Sequence, residues 1–462
     1  MAAAGRRRGE SPVIRALVLA AGAAMAVALS GCGSSKTAMT PVQACFVGAY
    51  RLADGRAIDI APSEGDDLRW RMLDGRIGRL SAKDDWKSTL GWTDRPDGVK
   101  VGLHGCAGLA SVTFAEPGGK PVEGRRIAFD VTDTTFVSGG LKLKGRLVLP
   151  KGAGPVPVMV QVHGSEEDSA VLYNWRQRLF PAEGVGVFVY DKRGTGGSEG
   201  KYTQDFQVLA RDAAAAAREA RLLGGARISR LGFEGGSQGG WIAPLAATLT
   251  PVDFVIVGYG LADSPFAENR DEALQDVERF GPEVEPKARE AIAATEAVMG
   301  SNFRSGYDKV AAVKRKYGRE PWFKELKGEF TGDLLKHHPW GLRVAGPWFN
   351  KGTPWTYDPL PVLRRQTAPL LWVLAGDDSS APVEETRRRL LTLRVLGAPI
   401  TVLEYPRTEH GIIEFEEGPD DERLETGYAD GWLRTSLDWA MDGRLKDEPY
   451  GAGILLTPEP EA

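Results

Sequence analysis

From Ile127 onward the sequence alternates short apolar runs with helical patterns, and this alternation limits the fold more than any other feature of the chain. Most of the later runs are almost continuously apolar, as strands buried on both faces must be. The eight predicted strands are I-A-F-D-V-T, L-K-L-K-G-R-L-V-L-P, V-P-V-M-V-Q-V, V-G-V-F-V-Y, I-S-R-L-G-F, V-D-F-V-I-V, P-L-L-W-V-L and P-I-T-V-L-E-Y. Strands separated by helices favour an α/β fold, here with an eight-stranded, mostly parallel sheet.

An insertion of about 95 residues, 261–355, separates V-D-F-V-I-V from P-L-L-W-V-L. Its pattern is helical, as in A-R-E-A-I-A-A-T-E-A-V-M, and it is rich in Trp and Phe. Long insertions between core elements often carry function. We therefore predict a helical lid over the carboxyl end of the sheet.

Residues 42–125 have a different texture, with short alternating runs such as R-A-I-D-I and V-K-V-G-L between turns such as A-D-G-R. Period-two alternation broken by tight turns is typical of antiparallel hairpins. We predict a small all-β domain here.

The first 31 residues have the pattern of an export signal: a basic stretch at 6–8, an apolar run at 16–29, then L-S-G-C. An apolar run of about 14 residues is shorter than the roughly 20 that a membrane span needs. The L-S-G-C end resembles a bacterial lipobox, which predicts lipidation of Cys32. We expect an exported protein held by its lipid on the periplasmic or cell-surface side of a bacterial membrane; the alternative is an ordinary secretory signal with an incidental cysteine.

The chain has three cysteines, and assigning Cys32 to lipid leaves Cys45 and Cys106 as a pair. In an oxidising compartment an even number of cysteines indicates a disulfide. We predict that Cys45 and Cys106 are bonded; two buried free thiols are the alternative, because spacing alone does not prove that the side chains meet.

The net charge is −4, with 58 Lys and Arg against 62 Asp and Glu, so no basic surface for nucleic acid is indicated. The length of 462 residues suggests more than one folded unit. The predicted parts are a signal peptide 1–31, a tether 32–41, the β domain 42–125, the α/β core in two parts at 126–260 and 356–445 around the insertion 261–355, and a tail 446–462.

The pattern G-x-S-x-G, typical of a serine nucleophile, occurs twice, around Ser198 and around Ser237. A nucleophile at such a turn needs a buried strand before it and a helix after it. Ser237 has both, because I-S-R-L-G-F precedes G-G-S-Q-G-G and W-I-A-P-L-A-A-T-L follows it. Ser198 is followed by the polar run K-Y-T-Q-D-F. We predict Ser237 as the nucleophile and Ser198 as a loop residue.

A serine hydroxyl needs a base that is oriented by a third group. Of the five histidines, His410 lies in Y-P-R-T-E-H-G, just after the last predicted strand, and is the predicted base. The acid is expected after P-L-L-W-V-L, where the sequence A-G-D-D-S-S-A-P offers Asp377 and Asp378.

An oxyanion formed at Ser237 would need preorganised backbone donors. One is expected to be the amide of Gln238, at the N-terminus of the helix after the turn, where the helix dipole favours negative charge. The other is expected to be the amide of Ser165 in V-H-G-S, after the third predicted strand.

Taken together, V-H-G-S, Y-D-K-R-G-T-G-G-S, G-G-S-Q-G-G, A-G-D-D-S-S-A-P and E-H-G resemble the α/β-hydrolase superfamily, within it secreted esterase-like members related to prolyl oligopeptidase and dienelactone hydrolase. The resemblance covers about 126–445. It implies the α/β-hydrolase fold and a triad in the order Ser237, Asp378, His410. Asp378 is preferred to Asp377 because Pro382 then has the spacing usual in this fold. It also implies that Ser198 belongs to a turn of the fold.

The resemblance further implies hydrolysis of a small-molecule carboxylic ester through an acyl-enzyme, with no metal or organic cofactor. The aromatic residues of the insertion would then bind an apolar acyl or aryl group, or simply form its core. Two other functions stay open, a peptidase of the prolyl oligopeptidase type and a catalytically silent binding lipoprotein, because a fold alone does not separate them.

Overall fold

The computed structural model of the protein describes residues 38–419 and 422–458. The predicted signal segment and the lipidation site Cys32 lie outside these residues. None of the helices within them is both long enough and apolar enough to span a membrane.

The period-two runs near the N-terminus form a closed barrel of eight antiparallel strands, which confirms the predicted all-β domain. Strand β1 pairs with both β2 and β8, and this closes the barrel. The strands are β1 (Gly48–Leu52), β2 (Ala57–Pro62), β3 (Leu68–Met72), β4 (Ile77–Ser81), β5 (Lys87–Leu90), β6 (Pro96–His104), β7 (Ser111–Ala115) and β8 (Val122–Arg126).

A short helix, α1 (Pro41–Phe46), precedes the barrel and is joined to it by the disulfide Cys45–Cys106. The bond closes a separation of 61 residues between α1 and the turn after β6. Inside the barrel, the rings of Trp70 and Phe114 pack edge to face with centroids 5.3 Å apart. The barrel therefore has an aromatic core of its own and a covalent link at its entry.

The second sheet has nine strands within the described residues, one more than predicted. Its order is β20-β16-β15-β14-β13-β11-β12-β10-β9, and the six strands from β16 to β12 are parallel. The strands are β9 (Phe129–Ser138), β10 (Leu141–Pro150), β11 (Val156–Val162), β12 (Gly186–Tyr190), β13 (Ile228–Gly236), β14 (Phe254–Gly258), β15 (Leu370–Ala375), β16 (Ile400–Tyr405) and β20 (Ile454–Leu456).

The prediction of eight strands was wrong because of β20, which lies inside the predicted tail 446–462 and pairs antiparallel with β16. Three residues are too few to show a hydrophobic period, so only the edge of β16 selects this pairing. A separate three-stranded sheet, β17 (Thr408–Glu409), β18 (Ile413–Glu417) and β19 (Arg423–Tyr428), follows β16.

Helices cover both faces of the nine-stranded sheet. The helices after α1 are α2 (Ala170–Tyr173), α3 (Arg176–Ala182), α4 (Phe206–Gly224), α5 (Gly239–Ala247), α6 (Pro265–Gln275), α7 (Glu285–Gly300), α8 (Tyr307–Tyr317), α9 (Thr331–Lys336), α10 (Pro339–Phe349), α11 (Leu360–Leu363), α12 (Glu384–Val395) and α13 (Trp432–Asp442). Along β11, Val158 and Val160 belong to the core shared with α4, α5 and α12, whereas Met159 belongs to the core shared with α3 and α13. Both faces of the parallel strands are therefore buried, as their apolar runs predict.

The insertion 261–355 is helical, as predicted, and consists of α6 to α10 with their connections. It has its own apolar core, to which Trp322, Phe323 and Trp355 contribute. Trp340 and Trp348 are instead exposed, at 67% and 71%. The aromatic residues therefore divide between a core and a surface.

The barrel packs against helix α3 of the domain that contains the nine-stranded sheet. Asp59 of β2 is fully buried and pairs with Arg178 at 2.5 Å. Arg71 of β3 lies over the ring of Trp175, 5.2 Å from its centroid, just before α3 begins. Because removing one partner of a buried ion pair is costly, Asp59 and Arg178 tie the barrel to this helix.

Candidate active site

Ser237 lies at a strained turn between β13 and α5. Its φ is +52°, a left-handed value that residues with a β-carbon rarely adopt. A β-carbon on Gly235 would come within 2.5 Å of the Gly239 carbonyl oxygen, and one on Gly239 within 2.7 Å of the Val162 carbonyl oxygen. The flanking glycines are therefore needed for strand and helix to approach this closely. The turn holds Ser237 at the carboxyl edge of the sheet.

Ser237 and His410 line one cavity of about 410 Å³ at the ends of β11, β13 and β14. Tyr259, directly after β14, also lines it, and its ring packs edge to face on the His410 imidazole with centroids 4.9 Å apart. Within residues 38–419 and 422–458 the Ser237 hydroxyl makes no hydrogen bond, so it is not joined to His410 by one. In enzymes without substrate such bonds are often long.

His410 pairs with Asp378, whose side chain is fully buried. The Nδ1 atom of His410 lies 3.0 Å from Oδ2 and 3.2 Å from Oδ1 of Asp378. The Oδ1 atom also accepts the amides of Ser380 and Ala381, at 3.0 and 2.8 Å. Asp377 is exposed, and the structure therefore places Asp378, the preferred candidate, against the imidazole.

The surroundings of His410 act on its pKa in two directions. Burial lowers the pKa, but the hydrogen bond and charge of Asp378, with the charges of Glu409 and Glu272, raise it above its ordinary value. Glu272 belongs to α6 of the insertion, and its own pKa is raised to about 8, first by burial and then by Glu329 and Asp276. Acidic side chains of the insertion therefore act on the imidazole.

The two expected oxyanion donors lie on the turns around Ser237. Gln238 immediately precedes α5, and Ser165 lines the cavity. A β-carbon on Gly164 would lie 3.6 Å from that of Ser237, so the loop of Ser165 passes beside the serine. Neither amide donates a hydrogen bond to a residue in the described part of the chain. Both are therefore available to a ligand.

Lys192, which follows β12, donates a hydrogen bond to the peptide that carries the Ser165 amide. Its Nζ atom donates to the Gly164 carbonyl oxygen at 2.7 Å. That carbonyl and the Ser165 N–H belong to one planar trans peptide and point in opposite directions. A charged donor on the carbonyl thus fixes and polarises the N–H. Burial lowers the pKa of the Lys192 ammonium.

Sequence reasoning did not single out four residues that line or shape this site: Arg176, Lys192, Tyr259 and Trp432. Lys192 and Tyr259 each follow a buried strand, and polar residues in that position were a usable signal. Tyr259 has a left-handed φ of +41°, which no sequence pattern shows. Arg176 and Trp432 begin helices far apart in the chain and meet only in the fold.

The cavity has no arrangement suited to a metal ion. Among residues 38–419 and 422–458, no group of three or more His, Cys, Asp or Glu is placed to hold one.

Comparison with known proteins gives one family match and one curated relative that is matched in part. The family model of X-Pro dipeptidyl-peptidases (S15 family) matches residues 139–262, which include both G-x-S-x-G turns. The thiohydrolase aneE of Aspergillus aculeatus is 38% identical over 66 residues, which are 14% of this chain and 20% of that protein. The chain therefore matches about a fifth of this curated relative.

The solved structures that the chain resembles include a peptidase and an esterase. The acylaminoacyl peptidase of Pyrococcus horikoshii is 14% identical, with 76% of this chain and 52% of that chain covered and a TM-score of 0.39. An esterase from Pyrococcus furiosus is 14% identical, with 61% and 84% covered and a TM-score of 0.40.

Proposed function

We propose that this chain, which belongs to the α/β-hydrolase superfamily, is a serine hydrolase that cleaves carboxylic esters with Ser237, His410 and Asp378. The observation that carries the proposal is the buried Asp378–His410 pair beside a cavity that Ser237 enters from a strained turn. A base held by a buried carboxylate next to an unbonded hydroxyl is the arrangement that nucleophilic catalysis requires.

In the proposed reaction the Ser237 hydroxyl attacks the ester carbonyl while His410 Nε2 accepts its proton. The proton then passes to the leaving alcohol, and a water molecule, activated by the same imidazole, releases the acid. Asp378 keeps the proton of the neutral imidazole on Nδ1 and stabilises the imidazolium. The amides of Gln238 and Ser165 stabilise the oxyanion, with Ser165 oriented through Lys192.

The insertion is proposed to act as a lid. Glu272 of α6 and Asp378 line one cavity, so the insertion borders the proposed triad on that side. Trp340 and Trp348 are exposed but do not line the cavity beside Ser237, and Trp322 and Trp355 are used within the insertion's own core.

A peptidase is the second candidate function, and the match of residues 139–262 to the X-Pro dipeptidyl-peptidase family favours it. The relative rates of hydrolysis of ester and amide substrates distinguish the esterase from the peptidase. We expect the purified protein to hydrolyse a short-chain nitrophenyl ester at least about 100-fold faster than an aminoacyl naphthylamide. Comparable or faster amide cleavage would favour the peptidase.

Covalent labelling tests the proposal that the protein is an enzyme. A fluorophosphonate should label the wild type and not Ser237→Ala. Absence of label from folded wild-type protein would favour the remaining hypothesis, a binding protein that has the fold without the activity.

Export and lipid anchoring are proposed from the N-terminal sequence alone. Cells fed a labelled fatty acid should incorporate it into the wild type and not into Cys32→Ser. Incorporation into both variants would contradict the assignment of Cys32.

A further inference from the structure

One end of the cavity beside Ser237 is lined by side chains that carry hydrogen-bond donors. The donors belong to Arg176, Tyr259 and Trp432. We infer that this end binds a carboxylate carried by the substrate in addition to its ester group. The inference rests on the proposed function, since it names the class of ester that the site would take.

Arg176 presents a desolvated guanidinium to the cavity. Its side chain is 15% exposed and lies over the ring of Trp175, 4.7 Å from the centroid. Arg71 of the barrel lies over the same ring, 5.2 Å from its centroid, so the barrel helps to hold the indole in place. The Nε atom of Arg176 is buried without a hydrogen bond, and the guanidinium lies within hydrogen-bonding reach of the Tyr259 side chain. The group is therefore held in position with donor capacity to spare.

Glu234 balances the charge of Arg176 without meeting its hydrogen-bonding needs. Its Oε1 atom lies 3.4 Å from Arg176 Nε, outside good hydrogen-bond geometry. Its oxygens already accept from Gln161 Nε2, at 2.7 Å, and from Ser436 Oγ, at 3.3 Å. The guanidinium therefore keeps donor capacity for an acceptor that enters the cavity.

Trp432 and Tyr259 add donors at the same end. Trp432 is 1% exposed, and its Nε1 atom has no partner within the described residues. A β-carbon on Gly236 would lie 2.2 Å from the Tyr259 hydroxyl oxygen, which places that hydroxyl against the turn of Ser237. The Tyr259 side chain also lies within hydrogen-bonding reach of Arg176. It therefore links the turn of Ser237 to the guanidinium.

A carboxylate matches these donors better than a neutral acceptor. It has two oxygens with about four lone-pair positions, and it can accept from one guanidinium through two bonds at once. An amide or ester carbonyl would leave a buried donor unpaired, which costs binding free energy. A cavity of about 410 Å³ suits a short substrate. The substrate class is thus an ester of few carbons with a free carboxylate on either its acyl or its alcohol part.

Matched pairs of esters test this with the wild-type protein. The acyl arm compares the mono-4-nitrophenyl ester of glutaric acid with 4-nitrophenyl pentanoate. The alcohol arm compares 3-(butanoyloxy)benzoate with its methyl ester. In one arm the carboxylate should raise kcat/KM about 10- to 100-fold, the size expected for hydrogen bonds to a charged group. The arm that responds tells which part of the substrate lies against Arg176.

Two substitutions should remove that preference to different degrees. Arg176→Met should bring the ratio of kcat/KM within each pair to about 1, and Trp432→Phe, which keeps the ring, should reduce it about 3-fold or more. Trp439→Phe is the matched control, because Trp439 Nε1 is also buried without a partner on α13 but does not line the cavity. It should leave the ratio unchanged.

Glutarate binding to Ser237→Ala separates this inference from the proposed enzyme activity. Glutarate should raise the unfolding temperature of that protein, pentanoate should not, and the added change Arg176→Met should remove the effect. If the protein hydrolyses neutral esters but neither prefers the carboxylate esters nor binds glutarate, the inference is overturned and the proposed esterase activity is kept. Glutarate binding that depends on Arg176, in a protein that neither cleaves esters nor reacts with fluorophosphonate, would keep the subsite and reject the enzyme. Neither binding nor hydrolysis would reject both.

Discussion

Two turns of the molecule carry the pattern G-x-S-x-G, one around Ser198 and one around Ser237. The Ser198 hydroxyl donates to the Asp191 carbonyl oxygen at 2.7 Å and accepts the Lys144 amide at 2.9 Å, so its hydrogen bonds are used in holding the turn. The Ser237 hydroxyl makes none within the described residues and lies on a cavity wall. The serine of the same five-residue pattern thus makes structural hydrogen bonds in the Ser198 turn, whereas its hydroxyl is unbonded in the Ser237 turn.

The Ser198 turn nevertheless contributes to the site. It belongs to the loop after β12, where the Asp191 carboxylate accepts the hydroxyl of Ser169 and the amide of Gly197. Lys192 belongs to the same loop and donates a hydrogen bond to the Gly164 carbonyl oxygen beside Ser237. In the proposed function the two turns therefore have different roles: one presents the nucleophile, and the other supports the oxyanion loop.

The sharpest test of this division is Ser237→Ala against Ser198→Ala. We expect Ser237→Ala to lower kcat for a nitrophenyl ester by about 1,000-fold or more, because it removes the nucleophile. Ser198→Ala should keep kcat within about 3-fold of the wild type. Circular dichroism of both variants checks that they are folded. Loss of activity in Ser198→Ala alone would reverse the assignment.

The next largest effect is expected for Asp378→Asn, which leaves His410 without its charged partner. We expect kcat to fall about 100- to 10,000-fold, since the imidazole loses its tautomer and its stabilising charge. The exposed neighbour provides a matched control, and Asp377→Asn should stay within about 3-fold of the wild type.

Asp378→Asn should also shift the pH profile. Asp378 contributes to raising the pKa of His410, and the base must be neutral to accept a proton. Wild-type kcat/KM should therefore rise with pH through a pKa above that of free imidazole, and residual activity of Asp378→Asn should rise through a lower one. An acid limb that does not move would show that another group titrates there.

Much of the framework was predictable because it follows from local patterns. Buried parallel strands appear as apolar runs, and the ends of such strands meet at one edge of the sheet. This is why Ser237, Asp378 and His410 could be proposed from three distant segments. Their catalytic roles stay predictions that the variants above test.

The features that escaped the sequence depend on tertiary contacts. Strand β20 has three residues and forms only because the edge of β16 is free to pair. Arg176 and Trp432 are adjacent to the cavity because α3 and α13 pack on the same face of the sheet. A single basic residue at a helix start has no periodic signal, so its place in the site could not be foreseen.

Lys192→Met tests whether the second turn supports the first. We expect kcat to fall about 10- to 100-fold with KM changed less than about 3-fold, because the Ser165 amide acts mainly on the oxyanion of the transition state. Burial lowers the pKa of Lys192, so wild-type kcat should decline at alkaline pH as the ammonium loses its proton, and the variant should lack this decline. Lys201→Met, at an exposed position of the same loop, is the control. An unchanged kcat in Lys192→Met would restrict Lys192 to a packing role.

The smallest effect is expected for the stability of Ser198→Ala. Removing the hydroxyl deletes one bond to Asp191 and leaves the Lys144 amide to find water at a partly exposed position. The free energy of unfolding should therefore fall by about 1 kcal/mol. Ser111→Ala in β7, whose hydroxyl has no hydrogen bond among the described residues, should change it by less than about 0.5 kcal/mol. Urea unfolding of both variants measures the difference. If Ser198→Ala is as stable as Ser111→Ala, the two bonds of Ser198 do not hold the turn, and other contacts of the loop, such as the bonds of Thr195 to the Lys192 carbonyl oxygen, position Lys192.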